Sequence, residues 1–280
     1  MVDFKTKINL SAVNNKSLLC VGLDPDPNRI PIDNLLDFNK SIIRSTSDFV
    51  CAYKPNLAFF ESLGSEGIEI LNETIKSIPN NICVIGDGKR GDVRPTTDYY
   101  ANTLLGAGDF DAVTVNPYGG MDTLVPFFEY KDKGIFIWCR SSNEGASDFQ
   151  DLIVTDSNGS SPVELYKYIA LKARDYNTNG NIGLVVGATF PDEIRVLREL
   201  CPDMLLLIPG IGAQSGSLEK SVQNGIDSNG RNCIINSSRS ILYAGSTADN
   251  FEQKAMLAAK NTRDDINNIL YSLGYKWSDS

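Results

Sequence analysis

Two lysines and three aspartates stand where short apolar runs end. Lys54 closes FVCAYKP (49–55), Asp24 follows SLLCVGL (17–23), and Asp87, Lys89 and Asp92 follow one another through GDGKRGD (86–92). Acids and ammonium groups in alternation can neutralise one another, stabilise a developing charge and deliver a proton. Lysine suits such work because it both carries the charge and can release a proton, which arginine does not. The chain contains no histidine. That excludes Ser-His-Asp and Cys-His nucleophilic sites, HExxH zinc sites and imidazole acid–base chemistry. Proton transfer is left to Lys, Asp, Glu, Tyr, Cys or water. Spacing alone also allows GDGKRGD to be a solvated charged turn, since exposed ion pairs contribute only about 0–1 kcal/mol. Lys54 fits that alternative less well, because a charge at the end of an apolar strand needs a partner.

A second group lies late in the chain. IPGIGAQSG (208–216) supplies glycines that let backbone amides approach an anion, and INSSRS (235–240) supplies the guanidinium of Arg239. PGIG by itself reads as an ordinary turn; with Arg239 after the next apolar run it reads as a phosphate site. The six cysteines contain no CxxC pair, and five sit inside apolar runs. They read as buried reduced thiols acting as small hydrophobes.

These groups need a scaffold that brings run ends together. Apolar, β-rich runs recur at 17–23, 49–55, 82–87, 112–116, 134–140, 182–188, 204–209 and 233–238. They are continuous rather than alternating, which suits parallel strands covered by helices. Helical spacing is expected over 33–48, 95–106, 121–130, 162–176, 191–200, 217–224 and 248–273, with Pro162 and Pro191 in first turns. The expectation is an α/β fold, a single (β/α)8 TIM barrel over 1–280. A doubly wound sheet would place GxGxxG after its first strand, and Gly22-Leu23-Asp24-Pro25 does not fit. The polar stretch 143–161 reads as an extended loop, and the C-terminal tail as a docked helix with a frayed end.

In such a barrel the chemistry sits at the C-terminal strand ends, and loops after strands seven and eight commonly bind phosphate. Asp87 and Lys89, two apart in extended chain, should point the same way, and Arg90 the opposite way. The formal charge of -9 argues against nucleic-acid binding. No apolar run approaches the ~20 residues of a membrane span. The N-terminus lacks a signal-peptide layout, so a cytoplasmic location is expected.

Together these motifs resemble the orotidine 5'-phosphate decarboxylase family. The match runs through GLDPDP (22–27), YKPNLAFFESLG (53–64), DGKRGDV (87–93), TVNPYGG (114–120), RSSNEGASDFQDL (140–152), LVVGAT (184–189), PGIGAQ (209–214) and NSSRSIL (236–242). NPYGG and the SSNEGASDFQDL loop look like the longer, bacterial-type subfamily.

The resemblance implies decarboxylation of orotidine 5'-monophosphate to UMP, the last step of pyrimidine nucleotide synthesis, with neither cofactor nor metal. Lys89 would protonate C6 of the pyrimidine and stabilise the carbanion left by CO2. Asp87 would lie beside the substrate carboxylate and hold Lys89. Lys54 would bridge the ribose and Asp87, and Asp24 would bind a ribose hydroxyl. Asp92 and Thr96 would reach the ribose across a homodimer interface. Ser142 would hydrogen-bond the pyrimidine. Gln214 and Arg239, with Pro209 and the amides near Gly210, Gly212 and Ser238, would hold the phosphate. Asn116-Pro117-Tyr118 carries no chemical role beyond shaping the end of strand four. Related barrels that share Asp-x-Lys-x-x-Asp, the sugar-phosphate decarboxylases and hexulose-phosphate synthases, use a divalent metal and histidine in their pattern. The alternative from another class is a phosphate-ligand binding protein on a decayed barrel.

Overall fold

A computed structural model describes residues 2–155, 161–211 and 216–277. Each expected apolar run forms a strand: β1 Leu19–Leu23, β2 Ala52–Pro55, β3 Cys83–Arg90, β4 Ala112–Val115, β5 Gly134–Arg140, β6 Ile182–Val186, β7 Leu205–Pro209 and β8 Cys233–Ser237. They pair in parallel, in chain order, and β8 closes on β1 with Leu19 opposite Ile235. The continuous runs are explained by burial on both faces: every residue of β1 and β8 is buried. This is a closed (β/α)8 barrel.

Helices cover the outer face and their starts follow local chemistry. Asn34 accepts a hydrogen bond from the Asp37 N–H and opens Leu35–Thr46, which buries Phe38, Ile42 and Ile43. Phe38 stacks on Phe251 of the last helix, Phe251–Ser272, at 5.5 Å between ring centres. Pro191 begins Pro191–Leu200, and Ser217 caps Leu218–Gly225 through the Lys220 N–H.

Several elements depart from expectation. Helices also stand outside the expected ranges: the short Leu57–Glu61 and Arg239–Leu242, and two longer ones. Phe4–Asn14, capped by Asp3, lies at the N-terminal end of the barrel, where Phe4 meets Phe136 edge-on and Ser11 bonds the Cys51 carbonyl. Gly64–Lys76 lies between β2 and β3. The segment after β5 is not simply extended. It holds a 3-10 turn at Glu144–Ala146, a helical turn at Ser147–Gln150, and a strand pair joining Ile153–Val154 to Val163–Glu164. Pro162 therefore precedes a short strand, and the helix begins later, at Leu165. The 95–106 segment splits into Arg94–Ala101 and a wider π turn, Asn102–Gly106. The tail is pinned farther than expected: buried Trp277 donates to Asn267 Oδ1 and carries Arg231 on its ring.

All six cysteines are unpaired and buried. Burial pushes the thiols of Cys20 and Cys233 up to about 12, so they behave as small apolar groups. Among the described residues no helix is long and apolar enough to cross a membrane.

Candidate active site

The C-terminal strand ends enclose a cavity of about 260 Å³, and the expected Asp24, Lys54, Asp87, Lys89, Ser142, Pro209, Gly210, Ser238 and Arg239 all line it. Asp87 is its hub. One carboxylate oxygen accepts from Lys54 Nζ at 2.8 Å, and the other accepts from Lys89 Nζ at 2.7 Å and Thr114 Oγ1 at 2.8 Å. Burial alone would raise the Asp87 carboxyl, but the two ammonium groups and their hydrogen bonds override it and hold it well below the usual carboxylate range. Burial likewise disfavours charge on Lys54, yet Asp87 and, behind it, Asp24 keep that ammonium above its ordinary value. Both partners are thus held ionised. Lys54 and Asp87 are buried, whereas the Lys89 side chain retains 33% exposure and faces the cavity.

Asp87 and Lys89 do share the mouth, but not by simple alternation. Lys89 has a φ of 46°, and the β3–β4 register slips between Gly86 and Arg90. Arg90 points away, to Glu61, with its guanidinium 5.7 Å from the Tyr100 ring centre.

The rest of the rim is held by backbone. Tyr243 Oη donates to the Asp24 carbonyl and accepts from the Asp26 N–H, fixing the turn after β1. Ser142 is gripped through its carbonyl by Thr189 Oγ1 at 3.1 Å, and a side chain at Gly187 would strike its Cα at 2.7 Å. Gly22 is equally constrained, because a Cβ there would collide with Ser238 Oγ. Asp24 Oδ1 and Asn236 Oδ1 are buried with no hydrogen-bond partner among the described residues.

Residues 17–253 match the sequence model of the Orotidine 5'-phosphate decarboxylase / HUMPS family. The chain belongs to this family. It is 50% identical over 267 residues to an orotidine 5'-phosphate decarboxylase of Dehalococcoides mccartyi, covering 95% of this chain and 98% of that one. Among solved structures it is similar to Leishmania donovani OMP decarboxylase, with TM-score 0.85 and 38% identity, over 96% of this chain and all of that one. It also matches Leishmania donovani UMP synthase, with TM-score 0.87 and 39% identity, over 97% of this chain but 57% of that longer protein.

For a member of the orotidine 5'-phosphate decarboxylase family, two expected residues stand apart from the cavity within one chain. Asp92 is exposed, with its carboxylate on the Val93 N–H, and Thr96 is half-buried one turn farther on. Neither lines the cavity. Gly212 and Gln214 lie outside the described residues.

Other residues at the site were not singled out. Asn56, Trp138, Arg140 and Asn236 line the cavity, and Thr114 stands behind Asp87. Arg140 had the same signal as Lys54, a cation ending an apolar run. It is buried, 4.0 Å from the centre of the Phe190 ring, and ion-paired with Asp151 and Glu193. Asn116 has a structural role: it caps the turn Pro117–Gly119 by accepting from the Tyr118 N–H.

A wider cleft of about 700 Å³ opens at the opposite end of the barrel, around Lys7, Asp111 and Lys133. One Asp111 oxygen accepts from both Lys7 Nζ and the Val84 N–H, and Lys133 donates to the Phe110 carbonyl. These charges hold chain segments together. The smaller cavity is the one with groups converging on open space.

Proposed function

We propose that this chain converts orotidine 5'-monophosphate to UMP, with Lys89 as the proton donor. The observation that carries this reading is the Lys54–Asp87–Lys89 chain, with one buried carboxylate held between two ammonium groups at the cavity wall. Full-length relatives named for this activity support it. Cleavage of the bond from C6 to the carboxylate leaves its electron pair on C6 as CO2 departs. The Lys89 ammonium stabilises that pair and passes a proton from Nζ to C6; water then restores the ammonium. A fixed charge in a water-poor pocket acts more strongly than one in bulk solvent. Asp87 orients Lys89 and lies where it faces the departing carboxylate. Lys54, tied to Asp87, reaches the ribose. Asp24 Oδ1 is a ready acceptor for a ribose hydroxyl. Ser142 bonds the pyrimidine, while Pro209, Gly210, Gly212, Gln214, Ser238 and Arg239 take the phosphate. Energy from the remote phosphate is then available to hold the reacting carbon against Lys89.

The active unit is a homodimer in which Asp92 and Thr96 complete the neighbouring site. Its support is a band of exposed apolar residues beside them: Val93 (63% exposed), Tyr99 (77%) and Tyr118 (88%). The loops that carry them are tied by the Asn116 N–H to the Arg90 carbonyl at 2.9 Å. Residues 1–280 act as a single domain in the cytoplasm. The absence of histidine from the sequence favours the decarboxylase over the metal-using sugar-phosphate members of the family.

The first test follows the ultraviolet change of orotidine 5'-monophosphate in the presence of a chelator. Turnover is expected; a strict metal requirement, or tight UMP binding without CO2 release, overturns the reading. The dimer is tested by mixing Lys89→Ala and Asp92→Asn proteins. Shared sites predict partial recovery of turnover, and none is recovered if each chain is self-sufficient.

A further inference from the structure

The β3–β4 pairing is irregular where the chemistry is concentrated. Gly86 pairs with Val113 and Arg90 with Val115, so Asp87, Gly88 and Lys89 together face the single residue Thr114. Bulges of this kind re-aim side chains beside active sites, and the disturbed ladder must find other partners for its backbone groups. Lys89 is strained as well: its φ of 46° is left-handed, a conformation that non-glycine residues rarely adopt. Something must hold it there.

Thr114 is fully buried, and its hydroxyl sits between the two strained elements. The Lys89 N–H donates to Thr114 Oγ1 at 3.0 Å, and Thr114 Oγ1 lies 2.8 Å from Asp87 Oδ1. An N–H can only donate and an ionised carboxylate can only accept, so the hydroxyl proton must point at Asp87. Asp87 Oδ1 is also the oxygen that holds Lys89 Nζ. Backbone N–H, hydroxyl, carboxylate and ammonium thus close a ring that begins and ends on Lys89.

We infer that Thr114 is the positioning residue of the Lys89–Asp87 pair, its hydroxyl fixing both the bulged backbone of Lys89 and the carboxylate that aims the ammonium. This rests on the proton-donor role proposed for Lys89. Thr114 does not line the cavity and acts only through the pair. Valine has nearly the same shape without the hydroxyl. In Thr114→Val the Lys89 N–H loses an acceptor and Asp87 a donor, and Lys89 Nζ becomes free to drift. A misplacement of about 1 Å in a catalytic group can cost on the order of 10²-fold in rate.

The test compares Thr114→Val and Thr114→Ser with wild-type protein and Lys89→Ala in the decarboxylation assay. Thr114→Val is expected to lose about 10²-fold in kcat with KM changed less than about threefold, as for an interaction made late in the reaction. Thr114→Ser, which keeps the hydroxyl, is expected to regain most of the loss. A general packing defect would not follow the hydroxyl. Wild-type kcat in Thr114→Val, or a serine variant no better than valine, overturns the inference. Should the valine variant fail to fold, Thr114→Cys takes its place: its thiol is a weak donor, so a kcat below that of Thr114→Ser supports the inference and wild-type kcat overturns it. Lys89→Ala separates the two claims. If it is inactive while Thr114→Val is fully active, only the role of Thr114 falls; if Lys89→Ala turns over, the reading of the site falls with it.

Discussion

Cations stand at opposite ends of this barrel, Arg198 at one and Lys54 with Lys89 at the other, and they are satisfied in different ways. At the floor, Arg198 spends its guanidinium on the carbonyls of Cys201, Pro202, Met204, Gly225 and Asn232, at 2.6 to 3.1 Å. At the mouth, Lys54 and Lys89 share the single carboxylate of Asp87. The Arg198 guanidinium has neutral carbonyls as its hydrogen-bond acceptors. The mouth uses an ionised partner and leaves Lys89 part-exposed toward the cavity. Burial lowers the Arg198 pKa, with no consequence for a group that stays charged throughout the accessible range. A saturated cation ties strands together; an unsaturated one, held by a neighbour, is available for chemistry.

The sharpest way to break this comparison is Lys89→Ala. It should cost at least ~10³-fold in kcat, since it removes both the proton donor and the fixed charge. The melting temperature should barely move, because Asp87 keeps Lys54 as a partner. Parallel loss of stability and activity would place Lys89 with the structural cations.

Asp87→Asn should damage both, because it leaves the Lys54 ammonium buried without its counter-charge. Breaking a buried pair costs about 3–5 kcal/mol. The pH dependence has a definite sign. The Asp87 carboxyl titrates lower in the folded protein than its unfolded value of ~3.9, so its contribution is present above that pH and fades as pH falls toward the native value. Lys54 titrates above its unfolded value of ~10.4, so its contribution is present below that pH and fades as pH rises past it. Urea unfolding of wild type and Asp87→Asn should therefore differ by a constant amount around neutrality. The gap should narrow below about pH 4. A gap that widens in acid would contradict the assignment of charge.

At the floor the signature should invert. Arg198→Met strands five carbonyls and should cost about 2–4 kcal/mol, read as a lower denaturation midpoint. The kcat of the folded fraction should be unchanged. Arg198→Lys, with three donors on one nitrogen, should recover only part.

The same contrast explains what the sequence made legible. Strands buried on both faces leave a continuous apolar signature, so all eight were readable, and strand-end charges such as Lys54 and Asp87 stood out against it. A helix with a weak stripe did not: Phe4–Asn14, at the N-terminal end of the barrel, buries only Phe4, Ile8, Ser11 and Ala12. Thr114 was invisible because its hydroxyl acts through a register slip, which no residue spacing records. Arg140 carried the same pattern as Lys54, a cation closing an apolar run, and was equally legible by it. Asp92 shows the limit of a single chain, since its proposed site belongs to a second copy.

The smallest expected effect lies on Arg140, which stands between the two kinds of cation. Its guanidinium is buried against Phe190, but its partner Asp151 is 44% exposed. Asp151 is solvated, and Glu193 remains as a second partner of the guanidinium when Asp151 is neutralised. Asp151→Asn should therefore leave the melting temperature within a few degrees of wild type. Asp151 nonetheless follows Gln150, whose side chain accepts from the Ser141 N–H at 2.9 Å, next to the proposed pyrimidine contact Ser142. Loosening that turn weakens a contact made equally in ground and transition states. The expected result is a KM for orotidine 5'-monophosphate raised a few-fold with kcat unchanged, as for lost uniform binding. A fall in kcat instead would mean that Arg140 holds the reacting groups as well as the loop, and would move it to the side of Lys54.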